Sequence, residues 1–134
     1  HLSAHARRDL EDELEITARN MRELHRRGVR VVPGGDYGLV CTPMGRNARD
    51  LELFVSLFGF TPAESLVAAT NHGGAMMGRG DELGQLRRGW LADLIVVDGD
   101  PLDDIAVLQD RDRIGLVMKD GQIHRNEIST PGRS

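Results

Sequence analysis

Asp36 is the carboxylate of this 134-residue chain whose setting most invites chemistry. It closes the run VRVVPGGD, in which three valines lead into a proline and two glycines, with Tyr37 and Gly38 following. At the C-terminal end of a strand in an α/β fold, a carboxylate points into the crevice where ligands bind, and a neighbouring glycine permits close backbone approach. The same letters also spell a Gly-rich turn stabilised by an aspartate. Local pattern alone favours the turn.

The other reactive side chains have simpler readings. His1 and His5 stand four apart, which on a helix puts both imidazoles on one face, yet no acidic partner completes a ligand set and the surrounding segment is polar. His25 sits among arginines near a predicted helix end and reads as a surface cation. His72 before Gly73 reads as a helix terminus, and His124 as an exposed strand residue. Cys41 has no flanking nucleophile signature. Asp98, Asp100, Asp103 and Asp104 lack the order and the closing glutamate of a calcium loop and read as a solvated turn around Pro101. The glycines of Asn71-His72-Gly73-Gly74 follow no strand, as a phosphate loop would require, and no serine sits in a nucleophile elbow.

Composition narrows the function further. A formal charge of −4 and 4% aromatic residues give neither the electrostatics nor the stacking surfaces for nucleic acid. No apolar stretch is long enough to span a membrane, so a soluble chain is expected. One cysteine allows no internal disulfide and no cysteine-built zinc site, which fits a reducing, cytoplasmic setting. The chain opens at His1, with no initiator methionine and no signal-peptide pattern, and reads as the middle of a longer protein. Lys119 is its only lysine.

The elements that would position Asp36 follow from periodicity. Leu10, Leu14, Ala18, Met21 and Leu24 recur at helical steps between Arg8 and Arg27, and Gly28 ends the pattern. Val29–Val32 reads as one buried strand. Asn47 is the expected N-cap of a helix presenting Ala48, Leu51, Phe54, Val55 and Phe58 on one face. Thr61-Pro62-Ala63-Glu64 is a capping box opening a second helix to about Asn71. Leu94–Val97 is a strand, and Asp120-Gly121 between Leu116–Lys119 and Gln122–His124 signals a hairpin. One strand among helices needs neighbours for its backbone groups. The pattern therefore reads as part of a larger α/β assembly.

Four segments carry a family likeness: RRGVRVVPGGDYG, LELFVSLFGFTPAESLVAATNHGGAMMG, DELGQLRRGWLADLIVVDGDPLDDI and VMKDGQIHR. In sequence and order they resemble the C-terminal part of metal-dependent hydrolases of the amidohydrolase superfamily, nearest to imidazolonepropionase-like and dipeptidase-like members, from about Leu14 to Arg125. The resemblance implies an α/β fold: the C-terminal fragment of a (β/α)8 barrel (residues 1–82) plus part of a small β-sandwich (83–125). The polar residues 126–134, with Pro131 and Gly132, read as a flexible tail. It places Val29–Val32 on the last barrel strand and Asp36 on the aspartate just beyond it. The family usually has Gly-Thr-Asp where this chain has Gly34-Gly35-Asp36, which removes a hydroxyl beside the carboxylate and spares the carboxylate itself.

The same resemblance implies hydrolysis of a C–N bond in an amide, cyclic amide or dipeptide-like small molecule, assisted by a divalent metal, most often zinc. Asp36 would be metal ligand and general base and acid. Tyr37, Cys41 and Arg46, in the loop that follows, would line the pocket mouth. The remaining ligands, a His-x-His pair among them, would lie upstream of residue 1, so these residues alone are expected to be inactive and to need the rest of the parent chain. Homo-oligomers are compatible with this reading. The competing reading is a non-enzymatic scaffold or assembly protein that keeps the fold without a full metal site. The residues upstream of His1 would separate the two.

Overall fold

The computed structural model describes residues 3–40 and 42–128. Helix α1 (Ala4–Arg26) begins earlier than its apolar spacing predicts, because the Ser3 hydroxyl accepts a hydrogen bond from the Ala6 N–H at 3.1 Å and caps it. It ends as expected at Gly28. The Gly28 N–H donates to His25 and the Val29 N–H to Leu24, the paired bonds of a Schellman turn.

Val29–Val32 does not form the expected strand. Among the described residues no second strand lies beside it, and a lone extended segment has nothing to pair with. Val31 instead packs against a cluster of Phe54, Phe60 and Ala68, joined by Phe58.

Helix α2 (Arg49–Ser56) begins beyond Asn47, whose backbone carbonyl accepts from Asp50 N–H while Ala48 occupies the cap without a side-chain bond. Helix α3 (Pro62–Val67) opens on the predicted capping box: the Thr61 hydroxyl accepts from Glu64 N–H, and the Glu64 carboxylate accepts from Thr61 N–H at 2.8 Å. It continues through a π-helical turn (Ala68–His72) into α4 (Gly73–Met76), so His72 lies within a continuous helical run rather than at its end. Ser65, fully buried, donates its hydroxyl to the Leu51 carbonyl at 3.1 Å and ties α3 to α2. Phe54 and Phe60 meet with ring centroids 4.8 Å apart.

The rest is a three-stranded antiparallel sheet in the order β1 (Leu94–Val97), β2 (Ile114–Lys119), β3 (Gln122–Asn126). Asp120 (φ 49°) and Gly121 (φ 72°) make the predicted hairpin turn, both left-handed as a two-residue loop requires. Asp93 holds that turn, accepting from Asp120 N–H at 2.6 Å and lying 3.7 Å from Lys119 Nζ. The expected tail starts too early. Asn126 pairs with Leu116, and Glu127 N–H donates to Gly115 O, because strand pairing continues past Arg125. Residues 129–134 lie outside the described residues. A 3₁₀ turn (Ile105–Gln109), with Ile105 buried, docks the sheet on α2, and Gln109 donates to Glu52 at 2.8 Å. Among the described residues no helix is long and apolar enough to cross a membrane.

Candidate active site around Asp36

Asp36 is the centre of a tight turn. The Tyr37 N–H donates back to the Gly35 carbonyl at 3.0 Å, a three-residue turn with Asp36 in the middle. The Thr42 hydroxyl donates to the Asp36 carbonyl at 2.5 Å, and Gly38 N–H donates to the Thr42 carbonyl at 2.8 Å, so the loop folds back on its own start. Asp36 is exposed, and its carboxylate enters no hydrogen bond or ion pair among the described residues. Its backbone is tied while its side chain is open to a ligand.

The flanks of Asp36 are held from α2. One carboxylate oxygen of Asp50 accepts from Gly35 N–H at 2.8 Å, and the other accepts from the Tyr37 hydroxyl at 2.5 Å. The hydrogen bond to Asp50 raises the Tyr37 phenol above its ordinary value of 10; burial and the Asp50 charge add to the rise, and Arg49 and Arg46 oppose it. Gly35 is what lets the three groups meet. A Cβ there would lie 2.5 Å from Tyr37 Cε2 and 3.1 Å from the Asp50 oxygen. Sequence reasoning missed Asp50, which reads as an ordinary acidic residue in a first helical turn. The signal available was a carboxylate fourteen residues beyond Asp36, and nothing in one sequence links the two.

The other sequence candidates fall elsewhere. Arg46 is exposed in the loop beside Tyr37, with no ion pair among the described residues, and Cys41 and His1 lie outside the described residues. His5 faces Asp9 at 3.6 Å. His25, expected at the surface, is partly covered: its ring stacks on Phe60 with centroids 3.7 Å apart, and its Nε2 lies 3.6 Å from the Glu64 carboxylate. Asp100, Asp104 and Asp110 each accept from a backbone N–H two residues on, the turn role that the sequence predicts for the first two. Among the described residues no three His, Cys, Asp or Glu side chains converge in a way that could hold a metal ion.

The family model of the amidohydrolase family matches residues 5–124. The chain belongs to the amidohydrolase family. Ochratoxinase of Aspergillus niger is 35% identical over 99 residues, covering 73% of this chain and 20% of that protein. Its crystal structure superposes with a TM-score of 0.78 at 29% identity, over 94% of this chain and 28% of that one. An imidazolonepropionase of Aeromonas hydrophila subsp. hydrophila is 33% identical over 73 residues, 54% of this chain and 18% of that protein. A Xaa-Pro dipeptidase structure with methionine bound in its active site superposes with a TM-score of 0.73 at 29% identity, over 81% of this chain and 25% of the other. The chain thus spans about a fifth of the length of the curated amidohydrolase relatives it matches. Its mixed helix and sheet architecture is that of the amidohydrolase structures over the matched part.

For a divalent metal, the donor chemistry fits one ligand. Asp36 offers a hard, exposed oxygen donor on a tied backbone, which suits zinc and harder ions alike. A catalytic zinc takes three protein ligands. Among the described residues no such set comes together.

Proposed function

We propose that this chain is the C-terminal part of a metal-dependent hydrolase acting on a C–N bond of a small amide, cyclic amide or dipeptide-like substrate, with Asp36 as metal ligand and as general base and acid. The observation that carries this reading is an exposed carboxylate, free of partners among the described residues, on a loop fixed by three separate contacts, in a chain of the amidohydrolase family. The names of its relatives, an ochratoxinase and a Xaa-Pro dipeptidase, support the substrate class. In this reading residues 1–82 are the end of a (β/α)8 barrel, with Val29–Val32 as its last strand, and residues 83–125 are part of a small β-sandwich.

A divalent ion bound at Asp36, zinc in the first instance, would acidify water and polarise the scissile carbonyl. Asp36 would orient the attacking water, accept its proton and return that proton to the leaving nitrogen, so one group serves both half-reactions. Tyr37, Cys41 and Arg46, on the adjoining loop, would line the entrance, where the Arg46 guanidinium is available to a substrate carboxylate. The other metal ligands would come from upstream of residue 1, and these residues alone would be inactive. A cytoplasmic setting and the absence of nucleic-acid partners are supported by the single cysteine and the net charge of −4.

The test is made on the full-length protein loaded with zinc and assayed on a panel of N-acyl amino acids, dipeptides and cyclic amides. Asp36→Ala is expected to lower turnover by about 10²–10⁴-fold and to reduce bound zinc. Unchanged turnover and zinc content in that variant would remove Asp36 from the site. Absence of turnover and of bound metal in the wild type would instead favour the scaffold reading.

A further inference from the structure

We infer that Asp50 is the positioning residue for Asp36: its carboxylate clamps Gly35 and Tyr37, the residues on either side, and thereby aims the Asp36 side chain. The inference rests on the proposed role of Asp36 and extends it to a residue on a different element.

The geometry is a two-point clamp. The Gly35 N–H and the Tyr37 hydroxyl each occupy a different oxygen of one Asp50 carboxylate, at 2.8 and 2.5 Å. Hydrogen bonds to a charged acceptor are the strong ones. Gly35 and Tyr37 are also bonded to each other across Asp36 through Tyr37 N–H and Gly35 O at 3.0 Å. The segment 35–37 is therefore pinned to α2 at both ends of a single residue, the one whose side chain is unengaged among the described residues.

Three features make the clamp more than an acid placed at a helix start. The helix dipole would be satisfied by an Asp50 side chain turned to solvent or to a local N–H, whereas both oxygens reach back over a loop. Asp50 sits on α2, whose Leu51 and Phe54 are buried, so its backbone cannot drift with the loop. Gly35 leaves open the space the clamp needs, since a Cβ there would strike the Tyr37 ring at 2.5 Å. A group that holds a ligand-bearing or proton-transferring residue in one orientation supports activity without touching the reacting atoms.

The experiment uses the full-length protein with zinc, reading kcat and KM separately together with zinc affinity by chelator competition. Asp50→Ala, which removes both acceptors, is expected to lower kcat and zinc affinity by about 10–100-fold while KM changes little. Asp50→Asn is expected to restore most of the loss, because its amide oxygen can accept from Gly35 N–H and its NH₂ can donate to the Tyr37 oxygen. Wild-type kcat and zinc affinity in folded Asp50→Ala, beside an inactive Asp36→Ala, would overturn the clamp and leave the hydrolase reading standing. An Asp50→Asn variant as impaired as Asp50→Ala would also overturn it, because charge rather than the two bonds would then be at work. Should Asp50→Ala fail to fold by circular dichroism, Tyr37→Phe decides: a smaller fall in zinc affinity and kcat is expected, and no fall overturns the inference. A wild type with neither turnover nor zinc would refute the underlying reading itself.

Discussion

Asp36 and its two neighbours show how a loop residue can be held without its side chain being used. The cost of the arrangement falls on Gly35, where any side chain competes with Tyr37 for the same space. Gly35→Ala should force the Tyr37 ring aside and break its bond to Asp50. Once that bond is gone, removing the hydroxyl as well should cost little more. The double variant Gly35→Ala/Tyr37→Phe is therefore expected to be less destabilised than the sum of the single variants, with a coupling of about 1 kcal/mol, the size of one hydrogen bond. Denaturant midpoints of the four proteins measure it, and strict additivity would mean that the ring does not occupy the position seen here. Tyr37 and Asp50 fill the room that a side chain at position 35 would have taken.

At the scale of elements, α3 is the anchor on which α1 and α2 converge. Ser65 ties it to α2, Phe60 just before it carries the His25 ring from α1, and the Arg22 guanidinium donates to the Leu57 carbonyl at 2.7 Å. Its capping box therefore stands beside contacts from both α1 and α2. Thr61→Ala should lower stability by about 1 kcal/mol, read from the thermal or denaturant midpoint. Glu64 adds a pH dependence whose sign is fixed. The Thr61 N–H and hydroxyl, with His25 adding a smaller effect, hold its carboxyl below the ordinary value of 4.5. A group with a lowered folded-state pKa binds protons more readily when unfolded, so its contribution is complete above 4.5 and is lost as pH falls through the folded value. Glu64→Gln should flatten stability over that acid range. A slope identical to wild type would show that the carboxylate does not act as the cap.

Across the whole molecule the apolar surface is unevenly covered. Leu10, Leu14, Ile16 and Leu24 of α1 are each 40–51% exposed, and Ala18 is the helix's buried residue. Ile95, Val96 and Ile123 of the sheet are also open. Exposed apolar stripes of this kind mark surfaces that other structure covers. Expressed alone, residues 1–134 are expected to bind a hydrophobic dye and to associate with rising concentration in gel filtration. Co-production with the upstream part of the protein should suppress both. A dye-silent monomer at all concentrations would show that the stripe needs no cover.

Local chemistry in the chain is enough for several features that a few neighbouring residues decide. The capping box at Thr61–Glu64, the Asp120-Gly121 turn, the Gly28 stop and the strand Leu94–Val97 are written in short patterns, because each is stabilised by bonds within three to six residues or by a run of β-branched side chains. The likeness to the amidohydrolases is legible for a related reason: it lies in the order of such patterns. Whether Val29–Val32 pairs as a strand was not legible, because a strand exists only when another backbone supplies its partners, and none does so among the described residues. The π-helical turn at Ala68–His72 and the covering of His25 by Phe60 have no local signature either. Above all, residue types mark Asp36 as a candidate but leave open whether its carboxylate is spent on a turn. Only the packing of α2 against the loop decided that, by bringing Asp50 from fourteen residues away to take the neighbouring donors, with the Asp36 carboxylate left without a partner among the described residues.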